Sequence, residues 1–188
     1  TSGKIEIFCE TIHKFGYEDC PGHPKWLEPM EWLGSSQVRR FALHLVTPQP
    51  RYRLHGQLDT ANLSQEHKIQ GREPIWINPQ DASQRGIHDG DVVKVYNDRG
   101  ACLAGVCLTD RVRPGVVQLE TGAWYSPYEL GKSGTLECHG NPNVLTPDKG
   151  TSRLGQATSS GSCLVEVEPY QGTLPTIEAL RLPPIEPN

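Results

Sequence analysis

Arg39, Arg40, His44, Arg51, Arg53 and His55 all fall between Glu31 and Asp59, a stretch that contains no acidic residue. The chain as a whole is acidic, with a formal net charge of −4. A local run of cations on an acidic chain points to an anionic ligand such as a phosphate, with solvated surface charge as the alternative. The densest part, Thr47 to Gln57, reads T-P-Q-P-R-Y-R-L-H-G-Q. Its two prolines stiffen a loop that carries two guanidinium forks. Other chemistries find no support in the spacing. The sequence has no paired-carboxylate site, no Ser-His-Asp order and no G-x-x-x-x-G-K loop. Cys20-Pro-Gly-His23 and Cys138-His139 put four ligand types in two places, but paired C-x-x-C knuckles are absent and adjacent Cys138 and His139 rarely reach one ion together, so no metal site is expected. Cys102, Cys107 and Cys163 sit inside apolar runs and read as small core residues.

Something must hold these loops. A chain of 188 residues can bury a sizeable core. Its 19 glycines and 16 prolines favour turns over long helices, which excludes a helical bundle. No apolar run approaches the roughly 18 residues of a spanning helix, so no membrane insertion is expected. The negative net charge gives no whole-molecule attraction to nucleic acid. The chain opens Thr1-Ser2-Gly3 with neither Met nor a signal-peptide pattern. That reads as a piece of something longer, with a processed N-terminus as the alternative.

Strands are read at Lys4–Phe8, Phe41–Val46, Pro74–Ile77, Asp91–Tyr96, Ala101–Thr109, Val116–Glu120 and Ser162–Glu168, from apolar runs between turn signals; Ala101–Thr109 is nearly all apolar and is expected to be buried on both faces. Asn78-Pro79 starts a short helix through Arg85 that Gly86 ends. Asn97-Asp98-Arg99-Gly100 is a hairpin loop. Residues 59–73 are polar and read as a mobile surface loop. Residues 1–37 form a lead-in segment, 38–169 the strand-rich body and 170–188 a Pro-rich tail with one helical turn near Ile177–Leu180. Six or seven short strands with few helices predict a mainly β barrel or sandwich.

The unit from Asn78 to Gly100, N-P-Q-D-A-S-Q-R-G-I-H-D-G-D-V-V-K-V-Y-N-D-R-G, resembles the helix-plus-hairpin of the C-terminal cofactor-binding domain of molybdopterin oxidoreductases. The resemblance is strongest to those of the dimethyl sulfoxide, trimethylamine N-oxide and biotin sulfoxide reductase type. Leu45 to Gln57 resembles that family's loop after the first strand, with Gln49 for the usual His and Gly56 for the usual Ser. Asp110 to Val116, Gly122 to Tyr125, His139 to Thr146 and Gly150 to Gln156 follow in the family's order, and Phe15 to Pro24 resembles the segment before the barrel. The match covers nearly the whole chain.

The resemblance implies a six-stranded double-psi β-barrel with short helices and long loops. It implies a molybdenum bis(molybdopterin guanine dinucleotide) cofactor in the full-length enzyme, reducing S- or N-oxides by oxygen-atom transfer. The implied cofactor-binding residues are Thr47, Pro48, Gln49, Pro50, Arg53, His55, Gln57, Gly140, Asn141, Asn143, Ser152 and Gln156. Arg53 is expected to be the main pyrophosphate contact, with Arg51 a second fork or a solvent-facing charge. Asn141, Asn143 and Gln156 carry amides that match the mixed donors and acceptors of a pterin or guanine edge, although the two asparagines could equally satisfy turn backbone. Trp124 and Tyr125 are expected to pack in the core or at the barrel rim, with the lining of a substrate funnel as the alternative. The metal's side-chain ligand lies outside this chain in the family, so the fragment alone is expected to be inactive and its partners to be the cofactor and the remaining domains. A periplasmic location is implied, with the cytoplasm as alternative. A non-enzymatic interaction barrel, or a domain of another molybdopterin enzyme such as a formate dehydrogenase, are the competing readings.

Overall fold

A computed structural model describes residues 3–157 and 161–181. The last seven residues of the expected tail lie outside the described residues. The chain divides into two compact units: a smaller one of Thr1–Met30 with Pro147–Ser160, and a larger one of Glu31–Thr146 with Gly161–Asn188.

The larger unit is a closed barrel of six strands: β1 (Leu43–Val46), β2 (Pro74–Ile77), β3 (Val92–Tyr96), β4 (Ala101–Leu108), β5 (Val116–Leu119) and β6 (Ser162–Pro169). The order around the wall is β1-β5-β2-β4-β3-β6. The β1/β5 and β2/β4 pairs are parallel and the other four antiparallel. Two parallel crossovers in one closed sheet are what the double-psi expectation requires. Closure leaves no sheet edge to protect. Alternation carries the fold: Leu43 and Leu45 of β1, Ile75 and Ile77 of β2, and Cys163, Val165 and Val167 of β6 all face the core. β4 is buried from Cys102 to Val106 because it pairs centrally and is covered on both faces. Cys107 is only half-buried, unlike Cys102 and Cys163.

The short helix is Pro79–Ser83, with the Asn78 side chain accepting from the Gln80 N–H at 3.0 Å and Gly86 left-handed just beyond its end. A 3-10 turn forms at Glu178–Leu180, where a turn of helix is expected. Two expectations fail. Lys4–Phe8 is not a strand: Ile5 and Ile7 are exposed, and no strand pairs with them. Alternation by itself does not make a strand without a partner. Residues 59–73 are not a plain surface loop either. They contain a helix, Asn62–Glu66, and bury Asp59, Ser64, Arg72 and Glu73.

Candidate functional site

One end of the barrel gathers the C-termini of β1 and β5 and the N-terminus of β2, because Val46 pairs with Gln118 and Ile75 with Leu119. The segment after β5, Thr121–Trp124, runs across that end and is held from both sides. On one side the loop after β1 grips it. Thr121 N–H donates to the Pro48 carbonyl at 3.0 Å, and Trp124 Nε1–H donates to the Gly56 carbonyl at 2.7 Å. On the other side lies the loop after Glu137. Asn141 Nδ2 donates to the Ala123 carbonyl at 2.8 Å, and His139 Nδ1 sits 2.9 Å from the Trp124 carbonyl. The contact is close enough to demand glycine: Gly122 has φ +97°, and a Cβ there would overlap the His55 carbonyl. The basic loop and the H-G-N-P-N loop, more than 80 residues apart in the chain, therefore meet across one strip.

Beneath that strip four charged side chains close a ring. Arg53 Nη2 lies 2.9 Å from Glu73, Glu73 lies 2.8 Å from Lys68 Nζ, Lys68 Nζ lies 2.9 Å from Asp59, and Asp59 lies 3.6 Å from Arg53 Nε. No member exposes more than 2% of its side chain. Charges buried this far from water persist only when paired and hydrogen-bonded. These are both: Arg53 also donates to the His55 and Thr121 carbonyls at 3.2 Å, and the Trp124 N–H donates to Asp59 at 3.0 Å. Burial alone would raise the Asp59 carboxyl, but the Lys68 hydrogen bond and charge and the Trp124 N–H bring it below its ordinary value. Burial lowers His139, with the Lys68 charge adding to it, so the imidazole is neutral. With Nδ1–H given to the Trp124 carbonyl, His139 Nε2 is left without a hydrogen-bond partner among the described residues.

Arg53, expected as the main pyrophosphate contact, thus has its guanidinium turned inward and occupied. The acid-free stretch of sequence is not acid-free in space. Asp59 and Glu73 supply anions to Arg53, and Asp98 takes a bidentate pair from Arg40 at 2.6 and 2.9 Å. The polar side chains left exposed on the basic loop are Gln49, Arg51, His55 and Gln57, beside the exposed Tyr52 and Leu54. Thr47 donates to the Gly161 carbonyl, Pro50 is buried and Pro48 exposed.

The second loop divides the same way. Asn141 is buried: its amide donates to Ala123, and its Oδ1 accepts from the Asn143 N–H at 3.0 Å, which is the turn-satisfying use of the side chain. Asn143 is exposed. Gly140 has φ +96°, with a Cβ position only 2.7 Å from the Glu73 side chain, so this loop rests on the ring. Trp124 and Tyr125 are 43% and 53% exposed, so they stand at the rim more open than packing alone predicts.

Ser152 and Gln156 belong to the smaller unit. There Ser152 Oγ accepts from the Gly155 N–H at 2.9 Å, and Gln156 Nε2 donates to the Ser152 carbonyl at 3.0 Å. A cavity of about 350 Å³ in that unit is lined by Gly16, Glu18, Asp19 and Arg153. Two carboxylates against one guanidinium do not suit a phosphate.

Sequence reasoning misses Asp59, Lys68, Glu73 and Glu137. The only trace of the ring is that Asp59 is the first acid after the basic stretch. No group of three or more His, Cys, Asp or Glu side chains suited to a metal ion occurs among the described residues.

Residues 43–164 match the family described as "Molydopterin dinucleotide binding domain". The chain is 50% identical over 175 residues to trimethylamine-N-oxide reductase 1 of Escherichia coli, an alignment covering 92% of this chain and 21% of that protein. It is 44% identical over 182 residues to the dimethyl sulfoxide/trimethylamine N-oxide reductase of Cereibacter sphaeroides, covering 97% of this chain and 22% of the relative. The chain therefore spans about a fifth of the length of these relatives. Among solved structures, acetylene hydratase from Pelobacter acetylenicus aligns with a TM-score of 0.70 at 16% identity, over 90% of this chain and 24% of that one. At that identity the likeness concerns the fold.

Proposed function

The chain belongs to the molydopterin dinucleotide binding domain family, and from that premise we propose that it holds one side of a molybdopterin guanine dinucleotide at the barrel end described above. The parent protein would be a larger enzyme reducing an S- or N-oxide, as the names of its relatives suggest. When bound, the cofactor supplies the metal-centred redox chemistry, and the protein supplies binding, orientation and electrostatics.

The observation that carries this reading is the division of labour between exposed and buried polar groups. Gln49, Arg51, His55, Gln57 and Asn143 are the exposed polar set. It comprises a guanidinium suited to a pyrophosphate, an imidazole, and amides suited to a heterocycle edge. Arg53, Asn141 and Gly140 form the layer beneath and keep both loops in place. Rigid support under adaptable polar groups is what a binding site needs, since groups held in place beforehand lose little freedom on binding. The residues fit a dinucleotide in their chemistry: one end of the basic loop offers charge, while the Asn loop offers donor and acceptor together. The relatives' type favours a periplasmic location.

The test is guanine nucleotide content of the full-length protein after acid release. Arg51→Ala removes a charge-assisted contact at about 1.5–3 kcal/mol, so retention falls about ten- to a hundredfold with the fold intact. Unchanged nucleotide and molybdenum content in Arg51→Ala and Asn143→Ala together would remove the assignment. A barrel acting as an interaction module would show that result, because it has no use for a pyrophosphate contact.

A further inference from the structure

Glu137 is fully buried, yet among the described residues no cation pairs with it directly. Its four partners are all backbone N–H groups. Oε1 accepts from Ser126 at 3.1 Å and His139 at 3.0 Å, and Oε2 accepts from Gly140 and Asn141, both at 2.7 Å. Three of the four donors belong to the loop that carries Asn143. The Glu137 backbone is meanwhile fixed to the barrel wall. Its N–H donates to the Ala101 carbonyl at 2.9 Å, and its carbonyl accepts from Leu103 at 2.8 Å, an extra parallel bridge on β4. One residue thus joins the buried strand to the tip of the loop, through its main chain at one end and its carboxylate at the other.

We propose that Glu137 is a positioning residue for the cofactor: its carboxylate shapes the turn 138–141 so that Asn143 stands where it can read the ligand. This rests on the reading above that the Asn143 loop touches the cofactor. The physical case is that a turn exposing three successive N–H groups to one side is an anion-binding concavity, and here the anion is built into the chain. Both oxygens already accept twice, so the carboxylate has no acceptor capacity left for a ligand. It therefore acts through the loop and not on the cofactor itself. The acceptor character of both oxygens is the requirement. An amide in the same shape must place its NH₂ against two N–H donors, leaving them buried without a partner.

That requirement separates positioning from packing. Glu137→Gln keeps the shape and loses one acceptor; Glu137→Asp loses a methylene and keeps two acceptors with the charge. In the full-length protein, guanine nucleotide retention and amide exchange at Ser126, His139, Gly140 and Asn141 are measured for both variants, with Asn143→Ala as a control. We expect Glu137→Gln to exchange at least tenfold faster at two of those amides. Its nucleotide retention should fall about tenfold or more, as for other supporting residues behind a bound cofactor. Glu137→Asp should fall less. If Glu137→Asp loses more nucleotide than Glu137→Gln, the residue acts by packing and the proposal is overturned. If Asn143→Ala loses nucleotide while Glu137→Gln retains it at the wild-type level, the proposal fails and the cofactor reading stands. If Asn143→Ala retains all its nucleotide, the reading fails and takes the proposal with it. Should Glu137→Gln not fold, Glu137→Asp decides alone: reduced retention with faster exchange supports the proposal, and unchanged retention overturns it.

Discussion

The wall of the barrel and the loops at its end are held by opposite means. The wall is apolar: Leu45, Ile75, Ile77, Val93, Leu103, Val117 and Leu119 are all fully buried. The loop end is polar at the same depth, with Arg53, Asp59, Lys68, Glu73, Glu137 and His139 shut away from water. Apolar packing is non-directional and tolerates exchange of similar shapes. A closed ring of alternating charge is directional and fails when any single member is lost. The difference teaches where each device is useful. The wall has to be stable, whereas the loop end has to hold a particular arrangement of exposed groups. A ring of fixed partners specifies that arrangement at a cost in desolvation that apolar residues would not incur.

Variants that remove one member of either region test this contrast. The largest effect is expected from Glu73→Ala, which leaves Arg53 and Lys68 buried around a single carboxylate. It should lower stability to urea by about 3–5 kcal/mol. Replacing all four ring members together with Met and Leu should cost far less, because an apolar substitute of similar volume is often neutral. If the single and quadruple variants are equally destabilised, the ring behaves as ordinary packing. Next is Leu45→Ala in the wall, at about 2–5 kcal/mol from lost transfer energy and a cavity. It should leave amide exchange in the loops 48–57 and 139–143 unchanged relative to the strands.

Acid acts through a histidine in each region, the buried His139 at the loop end and the half-buried His44 on β1. His139 has its folded pKa lowered by burial, so the unfolded chain binds the proton more readily and stability rises with pH across that interval. Stability is therefore complete above about pH 6.5 and is lost as pH falls toward the folded value, with a slope of at most about 1.4 kcal/mol per pH unit. Urea titrations should show a steeper slope in the wild type than in His139→Gln, where the remainder comes from His44, also lowered by burial. Asp59, also lowered in the fold, adds a further loss below about pH 4. The smallest effect belongs to the exposed Arg40–Asp98 pair, where Asp98→Ala should change stability by under about 1 kcal/mol and vanish in high salt.

The same contrast governs how much could be read from the sequence. The barrel strands follow from apolar alternation or, for Ala101–Thr109, from a continuous apolar run, bounded by Gly, Pro, Asn and Asp turns, and the Asn78-Pro79 start with its cap was legible residue by residue. The lone failure among strands, Lys4–Phe8, has the pattern and lacks a partner. At the loop end, hydropathy points the wrong way. A segment such as 59–73 looks solvated because each charge is counted alone, and only the fold brings Asp59, Lys68 and Glu73 to Arg53. The ligand-type side chains of these loops stand out in the sequence, but which of them face outward depends on those pairings. Arg53 and Arg51 are two residues apart and indistinguishable by type, yet one is sealed in the ring and the other open. Glu137 carried no signal at all, since its partners are backbone groups.

The proposed site lies at the barrel end where the C-termini of β1 and β5 meet. Amide hydrogen exchange of the full-length protein, compared with and without bound molybdopterin dinucleotide, tests it. Added protection is expected in residues 48–57 and 139–143, with the strands unchanged and no response in the turn Asp110–Gly115, which precedes β5 at the opposite end of the barrel. Protection confined to Asp110–Gly115, or its absence from 48–57 and 139–143, would contradict it.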